Sequence, residues 1–265
     1  MLTNVAHLKG IAIQATDGPL GTVDQLYFDD ESWVIRYVTV DTDWLGDRKV
    51  LISPFSVSGV DWPARRLDVA LTKKEVENSP GIDTQRPVSR QYETEYLGYY
   101  GYPDYWGGSY LWGSGANPAG FMSRIPTAKE ALAEKVRRAS MDSHLRSTTA
   151  VTGYHIEAED GEIGHVAGFF MDDEAWAIRY IEVATRNWWP GKKVLVSPAW
   201  IQKVSWTDSK VYVGLYRHAI ETAPLFSDSV PLTRDYEHRL YLHYGRPPYW
   251  IHEDSEKRVS SLIGV

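Results

Sequence analysis

The sequence predicts a mainly β protein made of two small six-stranded antiparallel β-barrels. The first observation is a repeated motif: DDESWVIRY at residues 29–37 returns as DDEAWAIRY at 172–180, with seven of nine positions identical. The second is a longer match, because residues 10–40 and 153–183 share 15 of 31 positions. The third is the spacing of short apolar runs between turn residues, which is typical of small barrels and sandwiches.

The candidate strands of the first copy follow one another closely. They are GIAIQ, GTVDQLYF, WVIRYVTVD, KVLIS, a stretch around VSGVDW, and RLDVAL. Turn signals such as TDGPLG, DDES and WPAR separate them. TKKEVENS then predicts a short helix that ends before Pro80-Gly81. Because the repeated unit is too long for a solenoid repeat, each copy is expected to be a domain.

An aromatic stretch follows each copy: RQYETEYLGYYGYPDYWGGSYLWG and RDYEHRLYLHYGRPPYW. A platform for stacking bases or sugars is one interpretation. Nearby acidic residues favour the other, an arm that packs Tyr and Trp against a sheet. Between the copies, TAKEALAEKVRRA predicts a linker helix over 127–139. The predicted divisions are residues 1–110 (first barrel and arm), 111–143 (linker) and 144–265 (second barrel and arm).

Composition narrows the function. The formal net charge of −7 argues against a nucleic-acid surface, which needs clustered Lys and Arg. The absence of cysteine excludes disulfides and thiolate chemistry. No apolar run approaches the roughly 18–20 residues of a membrane span. We therefore expect a soluble, cytoplasmic protein with no cofactor and no metal.

The repeated acidic turn has two interpretations. Asp29, Asp30 and Glu31 could form a metal or proton site, or they could form a solvated hairpin tip. The tip is favoured, because no His or further carboxylate lies at ligand spacing. Arg36 and its counterpart Arg179 are expected to pair with carboxylates. The candidate structural or interaction residues are Asp29, Asp30, Glu31, Trp33, Arg36, Tyr37, Tyr105, Trp106, Asp172, Asp173, Glu174, Trp176, Arg179, Tyr180, Tyr249 and Trp250.

The strand after the acidic turn is apolar on both faces. Alternation predicts Trp33, Ile35 and Tyr37 on one face, with valines on the other. One barrel interior accounts for only one of these faces. We expect the sister copy to cover the other, in a contiguous unit with a pseudo-two-fold axis, each aromatic arm packing partly on the opposite barrel.

Taken in order, these motifs resemble the PRC-barrel family. They are strand, DG..G, strand, acidic hairpin, W.IRY, KVL.SP, V.W, short helix and Pro, over about 80 residues in each copy. The family includes the cytoplasmic domain of the photosynthetic reaction centre H subunit and the C-terminal domain of a ribosome-maturation factor. The resemblance implies a compact barrel used for protein contact, with no shared catalytic residues.

The expected function is that of a non-catalytic interaction or scaffold protein with a protein partner. GxSxG, P-loop and GxGxxG motifs are absent, so we do not expect an enzyme. One alternative is an H-subunit-like accessory protein that assists proton or electron transfer at a photosynthetic or respiratory complex, in peripheral association with the membrane. A further alternative is a ribosome-assembly adaptor. Both a monomer with internal pseudo-symmetry and a homo-oligomer fit the duplication.

Overall fold

The computed structural model is mainly β. It describes residues 1–42, 48–82, 90–106, 110–113, 115–120, 144–185, 193–227 and 231–251. The predicted linker helix over 127–139 lies outside these residues. Among the residues that are described, none of the helices is both long enough and apolar enough to span a bilayer.

Six of the eight strands described in the first copy fall where the apolar runs predict them, and the other two, Leu2–Asn4 and Gly81–Ile82, lie outside those runs. The eight strands are β1 (Leu2–Asn4), β2 (Ala12–Ala15), β3 (Gly18–Asp29), β4 (Ile35–Asp41), β5 (Lys49–Ile52), β6 (Val57–Asp61), β7 (Arg66–Val69) and β8 (Gly81–Ile82). Helix α1 (Lys73–Asn78) occupies the predicted helical segment, and Thr72 caps its N-terminus in a capping box with Glu75. Helix α2 (Arg90–Tyr100) lies in the aromatic arm.

The second copy repeats this order. Its elements are β9 (Leu145–Ser147), α3 (Thr148–Val151), β10 (His155–Ala158), β11 (Gly161–Asp172), β12 (Ala177–Thr185), β13 (Lys193–Val196), β14 (Ile201–Ser205), β15 (Lys210–Val213), α4 (Arg217–Glu221) and α5 (Arg234–Tyr244). The core sheet order is β6-β7-β2-β3-β4-β5 in the first copy and β14-β15-β10-β11-β12-β13 in the second. The two copies therefore share one topology, as the repeat predicts.

Strand direction differs from the prediction. β2 pairs with β7 in parallel, and β10 pairs with β15 in parallel, so both sheets are mixed and the prediction of purely antiparallel sheets is wrong. Within the described residues both sheets are open at their ends instead of closing into a ring. Local alternation and turn residues locate strands, but they do not encode the direction of strands that pair across a long sequence separation.

The DG..G motif has a structural reason in both copies. Asp17 accepts a hydrogen bond from the backbone N–H of Lys73 at 2.8 Å, which ties the β2–β3 turn to α1. Gly21 has φ of 139°, and a Cβ there would lie 2.2 Å from the carbonyl oxygen of Asp41. Gly164 meets the same obstacle in the second copy. A side chain is excluded at both glycines, because the neighbouring strand passes too close.

The chain divides into two compact units that do not coincide with the two copies. The first unit contains Met1, residues 3–152 and residues 168–179. The second contains Leu2, residues 153–167 and residues 180–265. The acidic hairpin of the second copy therefore belongs to the first unit.

Candidate functional site

The two acidic hairpins pair with each other inside the first unit. The backbone N–H of Ile35 donates to the carbonyl of Trp176 at 2.8 Å, and the N–H of Ile178 donates to the carbonyl of Trp33 at 2.8 Å. Each hairpin makes the same contact to the other, so the arrangement has local two-fold pseudo-symmetry, as an isologous interface requires. Residues 29–36 and 172–179 are called the hairpin pair below.

The centre of the hairpin pair is apolar. Val34 and Ala177 form an antiparallel bridge at its centre. Trp33 and Trp176 adopt φ of 57° and 56°, values that bulky residues rarely take. The ring of Trp33 stacks on Phe28 at a centroid distance of 5.0 Å. The repeated tryptophans therefore hold a tight turn in each hairpin and contribute to the apolar centre.

The first strand of each copy also lies beside the other copy. β9 pairs with β3, and β1 pairs with β11. Within the first unit, the N–H of Asp30 donates to the carbonyl of His144 at 2.9 Å, and that of Asp173 donates to the carbonyl of Met1 at 3.1 Å. Each copy therefore contributes its first strand to the sheet of the other copy and pairs its hairpin with the other hairpin. These two exchanges are a structural reason for the repeat of the motif.

The first carboxylate of each tip stabilises its own turn. The Asp29 side chain is buried and accepts hydrogen bonds from the backbone N–H groups of Glu31 at 3.0 Å and Ser32 at 3.2 Å. Asp172 accepts in the same way from the N–H of Glu174 at 3.0 Å. This is the turn chemistry that favours Asp at such positions. The geometry agrees with a hairpin tip, although Asp29 is more buried than a solvated tip would be.

The second carboxylates have cationic neighbours. Asp30 lies 2.8 Å from the Nε of Arg146 in β9. Burial raises the pKa of Asp30, and the nearby guanidinium opposes that rise. Asp173 binds the terminal ammonium of Met1 and accepts from the indole N–H of Trp62 at 3.4 Å. In the described part of the chain, no group of three or more His, Asp or Glu side chains is placed to hold a metal.

Both repeated arginines lie beside the first aspartate of their own hairpin. The nitrogen–oxygen distance is 3.8 Å from Arg36 to Asp29 and 3.2 Å from Arg179 to Asp172. The guanidinium of Arg36 also lies 3.8 Å from the ring centroid of Tyr105, in cation–π geometry. Burial lowers the pKa of Arg36, while Tyr105 and Asp29 oppose that shift. These contacts give the arginines a structural role.

Trp112 of the first arm reaches the hairpin of the second copy. Its indole N–H donates to the carbonyl of Ala175 at 2.8 Å. Arg36 lies on the same ring, 4.7 Å from its centroid, and donates to the carbonyl of Leu111 at 2.6 Å. Phe55 packs edge-on against Trp112 at 4.9 Å. The expected crossing of the arms is therefore present at this point of the first arm.

Most of each arm packs on the sheet of its own copy. The Tyr37 hydroxyl, from β4, donates to Glu93 in α2 at 3.1 Å, and the Tyr105 hydroxyl donates to the same carboxylate. His144 Nε2 lies 3.1 Å from the other oxygen of Glu93 and 3.3 Å from the Tyr105 hydroxyl. Tyr37 and Tyr96 pack edge to face at 5.2 Å. Burial, followed by the neighbouring Glu93, raises the pKa of Tyr37 well above its usual range.

The second copy repeats this arrangement. The hydroxyls of Tyr180 and Tyr249 donate to Glu237 at 2.8 and 3.0 Å. Arg234 pairs with Glu237 at 3.0 Å and lies over the Trp250 ring at 4.3 Å. We call each Tyr–Glu–Tyr set an arm anchor: Tyr37, Glu93 and Tyr105 in the first copy, and Tyr180, Glu237 and Tyr249 in the second.

The bulge at Arg36 corrects the predicted faces of the W.IRY strand. Tyr37 lies opposite Tyr27 and Ile35 lies opposite Phe28, so Arg36 is the extra residue. Because successive residues of β3 point to opposite faces, Ile35 and Tyr37 do as well. The prediction that they share a face is wrong, since strict alternation ignores the bulge. Both faces are nevertheless buried, as expected.

Two of the main site residues were not singled out from the sequence. Glu93 and Glu237 are both almost fully buried, yet they lie in a polar, tyrosine-rich stretch that gives no burial signal. The usable signal was their identity at an offset of 237 − 93 = 144, among the arm positions that the two copies share. Trp106, by contrast, was singled out, and it packs against the aromatic core of the first copy.

No protein-family model matches the chain, and no curated protein matches it.

Proposed function

We propose that this chain is a non-catalytic interaction or scaffold protein, built from two PRC-barrel-type modules and acting in the cytoplasm on a protein partner. One observation carries the proposal: the polar groups that the two copies share are engaged inside the fold. They close turns, pair with arginine or anchor an arm.

This use of the polar residues differs from that of a catalytic site. A general acid or base needs access to a reacting atom, and a nucleophile needs a base within hydrogen-bonding reach and an open position for substrate. The buried carboxylates Glu93 and Glu237 instead accept hydroxyls of their own module. Side chains used in this way favour a rigid platform whose outer surface does the binding.

The test is recovery of a partner by the tagged full chain. Native lysate is separated into membrane, ribosomal and soluble fractions, and each is passed over the immobilised protein at several concentrations. We expect one protein to be retained saturably and in fixed stoichiometry. A heat-unfolded sample of the same chain is the control. Turnover of any substrate by the purified chain, abolished by one point substitution, would instead identify an enzyme.

A second candidate function rests on the first arm anchor. His144 Nε2 lies 3.1 Å from Glu93, and the Tyr105 hydroxyl donates to the same carboxylate, so the anchor has the groups that proton handling at a membrane complex would need. Under this candidate, the protein associates with native membranes, and His144→Gln slows proton-coupled turnover of the complex it joins without releasing the protein. Retention by membranes with unchanged turnover would leave only the scaffold role.

A further inference from the structure

The second copy exposes large apolar side chains that the fold does not require. Tyr216 is 65% exposed, Leu225 70%, Leu242 83% and Ile251 52%. In the first copy, 144 positions earlier, the counterparts are Thr72, Gly81, Gly98 and Gly107. A module with the same topology therefore folds with small or polar residues at these positions.

These apolar residues lie on α5 or in segments that contact it. The C-terminal turn of α5 is tied to the segment containing Tyr216, because His243 Nε2 lies 2.7 Å from the carbonyl oxygen of Ala219. On the other flank, the ring of His238 lies 5.0 Å from that of Trp250, next to Ile251. Leu242 is one helical turn from His238 on the exposed face.

The N-terminal end of α5 carries the remaining apolar residue. The Tyr236 hydroxyl donates to the carbonyl of Pro224 at 2.9 Å, which places Leu225 beside the first turn of the helix. The α5 surface is defined by six residues: Tyr216, Leu225, Arg239, Leu242, Arg246 and Ile251.

Charge on the α5 surface differs from that of the first copy. Arg239 stands where the first copy has Glu95, and Arg246 stands where it has Tyr102. Arg239 is well exposed, and its pair with Asp235 at 3.4 Å is a surface pair of little net strength. The outer face of the arm helix has therefore become apolar and basic, on a chain whose formal net charge is −7.

The buried face of the same helix has not changed in this way. Tyr236, Glu237 and Tyr244 are buried and have the same residue types at 92, 93 and 100 in the first copy. The two buried positions that do differ, 96/240 and 97/241, only exchange Tyr and Leu, so the change of character lies on the exposed side. Exposed apolar side chains that the fold itself does not require are typical of contact surfaces.

We infer that the α5 surface binds an acidic amphipathic helix of a partner protein, with apolar side chains on Leu242 and Tyr216 and carboxylates at Arg239 and Arg246. The inference rests on the proposed interaction function and names its docking surface. Helices that lay an apolar stripe on such a surface are a common recognition mode. Arginine at the rim selects partners with acidic flanks.

Charge decides against a second copy of the chain, because that copy would bring the same arginines to the interface and like charges oppose the contact. An anionic bilayer would also be attracted by the arginines, so binding to phosphatidylglycerol vesicles is measured in the same experiment.

The experiment uses the full chain and two synthetic helical peptides. Both carry leucine at positions i, i+3, i+4 and i+7; one has glutamate on the flanks and the other lysine. We expect the glutamate peptide to bind, with NMR shift changes confined to residues 214–225 and 235–251. Its Kd should rise about tenfold in Leu242→Ala and in Arg239→Glu, which restores the charge of the first copy. Glu95→Gln on the first copy is the matched control and should change nothing.

Several results would overturn the inference. The lysine peptide could bind as tightly as the glutamate peptide, the shift changes could lie elsewhere on the chain, or Leu242→Ala could leave the Kd unchanged. Two further contrary results are tighter binding of phosphatidylglycerol vesicles than of the peptide, and self-association of the chain that Leu242→Ala abolishes. The proposed function fails separately. If a cellular partner is retained fully by Leu242→Ala and by Arg239→Glu, the α5 surface is not its binding site, although the interaction function still holds. If no partner is retained saturably, the interaction function itself is wrong.

Discussion

The arm anchors make a quantitative prediction about Tyr37→Phe. This substitution keeps the ring and its edge-to-face contact with Tyr96, and it removes one buried donor to Glu93. A hydrogen bond to a charged group contributes about 1.5–3 kcal/mol. Glu93 keeps the Tyr105 hydroxyl and His144, so the loss should stay within that range instead of reaching the larger cost of an unpaired buried carboxylate.

Urea denaturation followed by tryptophan fluorescence measures this loss. For a domain with an m-value of about 2 kcal/mol/M, the midpoint should fall by roughly 1 M. Tyr180→Phe should give a similar loss in the second copy, because Tyr180 donates to Glu237 at 2.8 Å. Tyr99→Phe is the matched control: the Tyr99 hydroxyl donates to the carbonyl of Glu75 at an exposed site and should cost under about 0.5 kcal/mol. If Tyr37→Phe proved as mild as Tyr99→Phe, the anchor would contribute nothing to stability.

Two further predictions use alkaline pH and an engineered disulfide. Burial raises the pKa of Tyr37 and Tyr180 above their unfolded value of about 10, so the stability they contribute is complete below that pH and is lost as pH rises above it. The urea midpoint should therefore fall steeply above about pH 10, and it should fall less steeply in Tyr37→Phe. An equal fall of the midpoint with pH in both proteins would contradict the assignment. Val34 and Ala177 form a bridge of the non-hydrogen-bonded type, whose Cα atoms lie about 4.5 Å apart, within disulfide range. In this cysteine-free chain, Val34→Cys with Ala177→Cys should therefore give an intramolecular disulfide, seen as faster migration on non-reducing gels. Val34→Cys alone should stay a reduced monomer, and failure of the double variant to oxidise would refute the pairing.

Much of this fold is readable from local pattern. Turn residues and short apolar runs located the six core strands of each copy, and DG..G marked a turn where Gly21 admits no side chain. The parallel pairing of β2 with β7 was not readable, because it joins strands more than fifty residues apart and depends on the whole sheet. The bulge at Arg36 was also hidden, since nothing in WVIRY departs from alternation.

The candidate site was readable where the copies could be compared. The acidic tips, Arg36 and the tyrosines were found because they repeat. His144 was not found, because it belongs to the second copy and its counterpart in the first copy, 143 positions earlier, is Met1. Its contact with Glu93 joins residues 51 positions apart across two elements. Comparison of the two copies therefore identifies the residues of their shared structure. Positions at which the copies differ, such as Leu242, indicate functions that belong to one copy.

The pairing of hairpins determines how an isolated copy should behave. A fragment of residues 1–120 lacks β9, His144 and the hairpin at 172–179. Phe28, Trp33, Val34 and Ile35, all buried in the full chain, would then lose their cover.

Exposing a large apolar side chain costs about 1.5–3 kcal/mol, so these four residues together would cost about 6–12 kcal/mol. That loss is comparable to the whole stability of a typical domain, about 5–15 kcal/mol. Because the hairpin surface is self-complementary, the fragment should recover cover by pairing with a second fragment, seen as a dimer in sedimentation, or else precipitate. Mixing it with residues 144–265 should yield a one-to-one complex in preference to either homodimer, since the natural pair has Trp112 on Ala175. A monodisperse monomer of residues 1–120, as stable to heat as the full chain, would show that hairpin pairing is not needed to hold the module together.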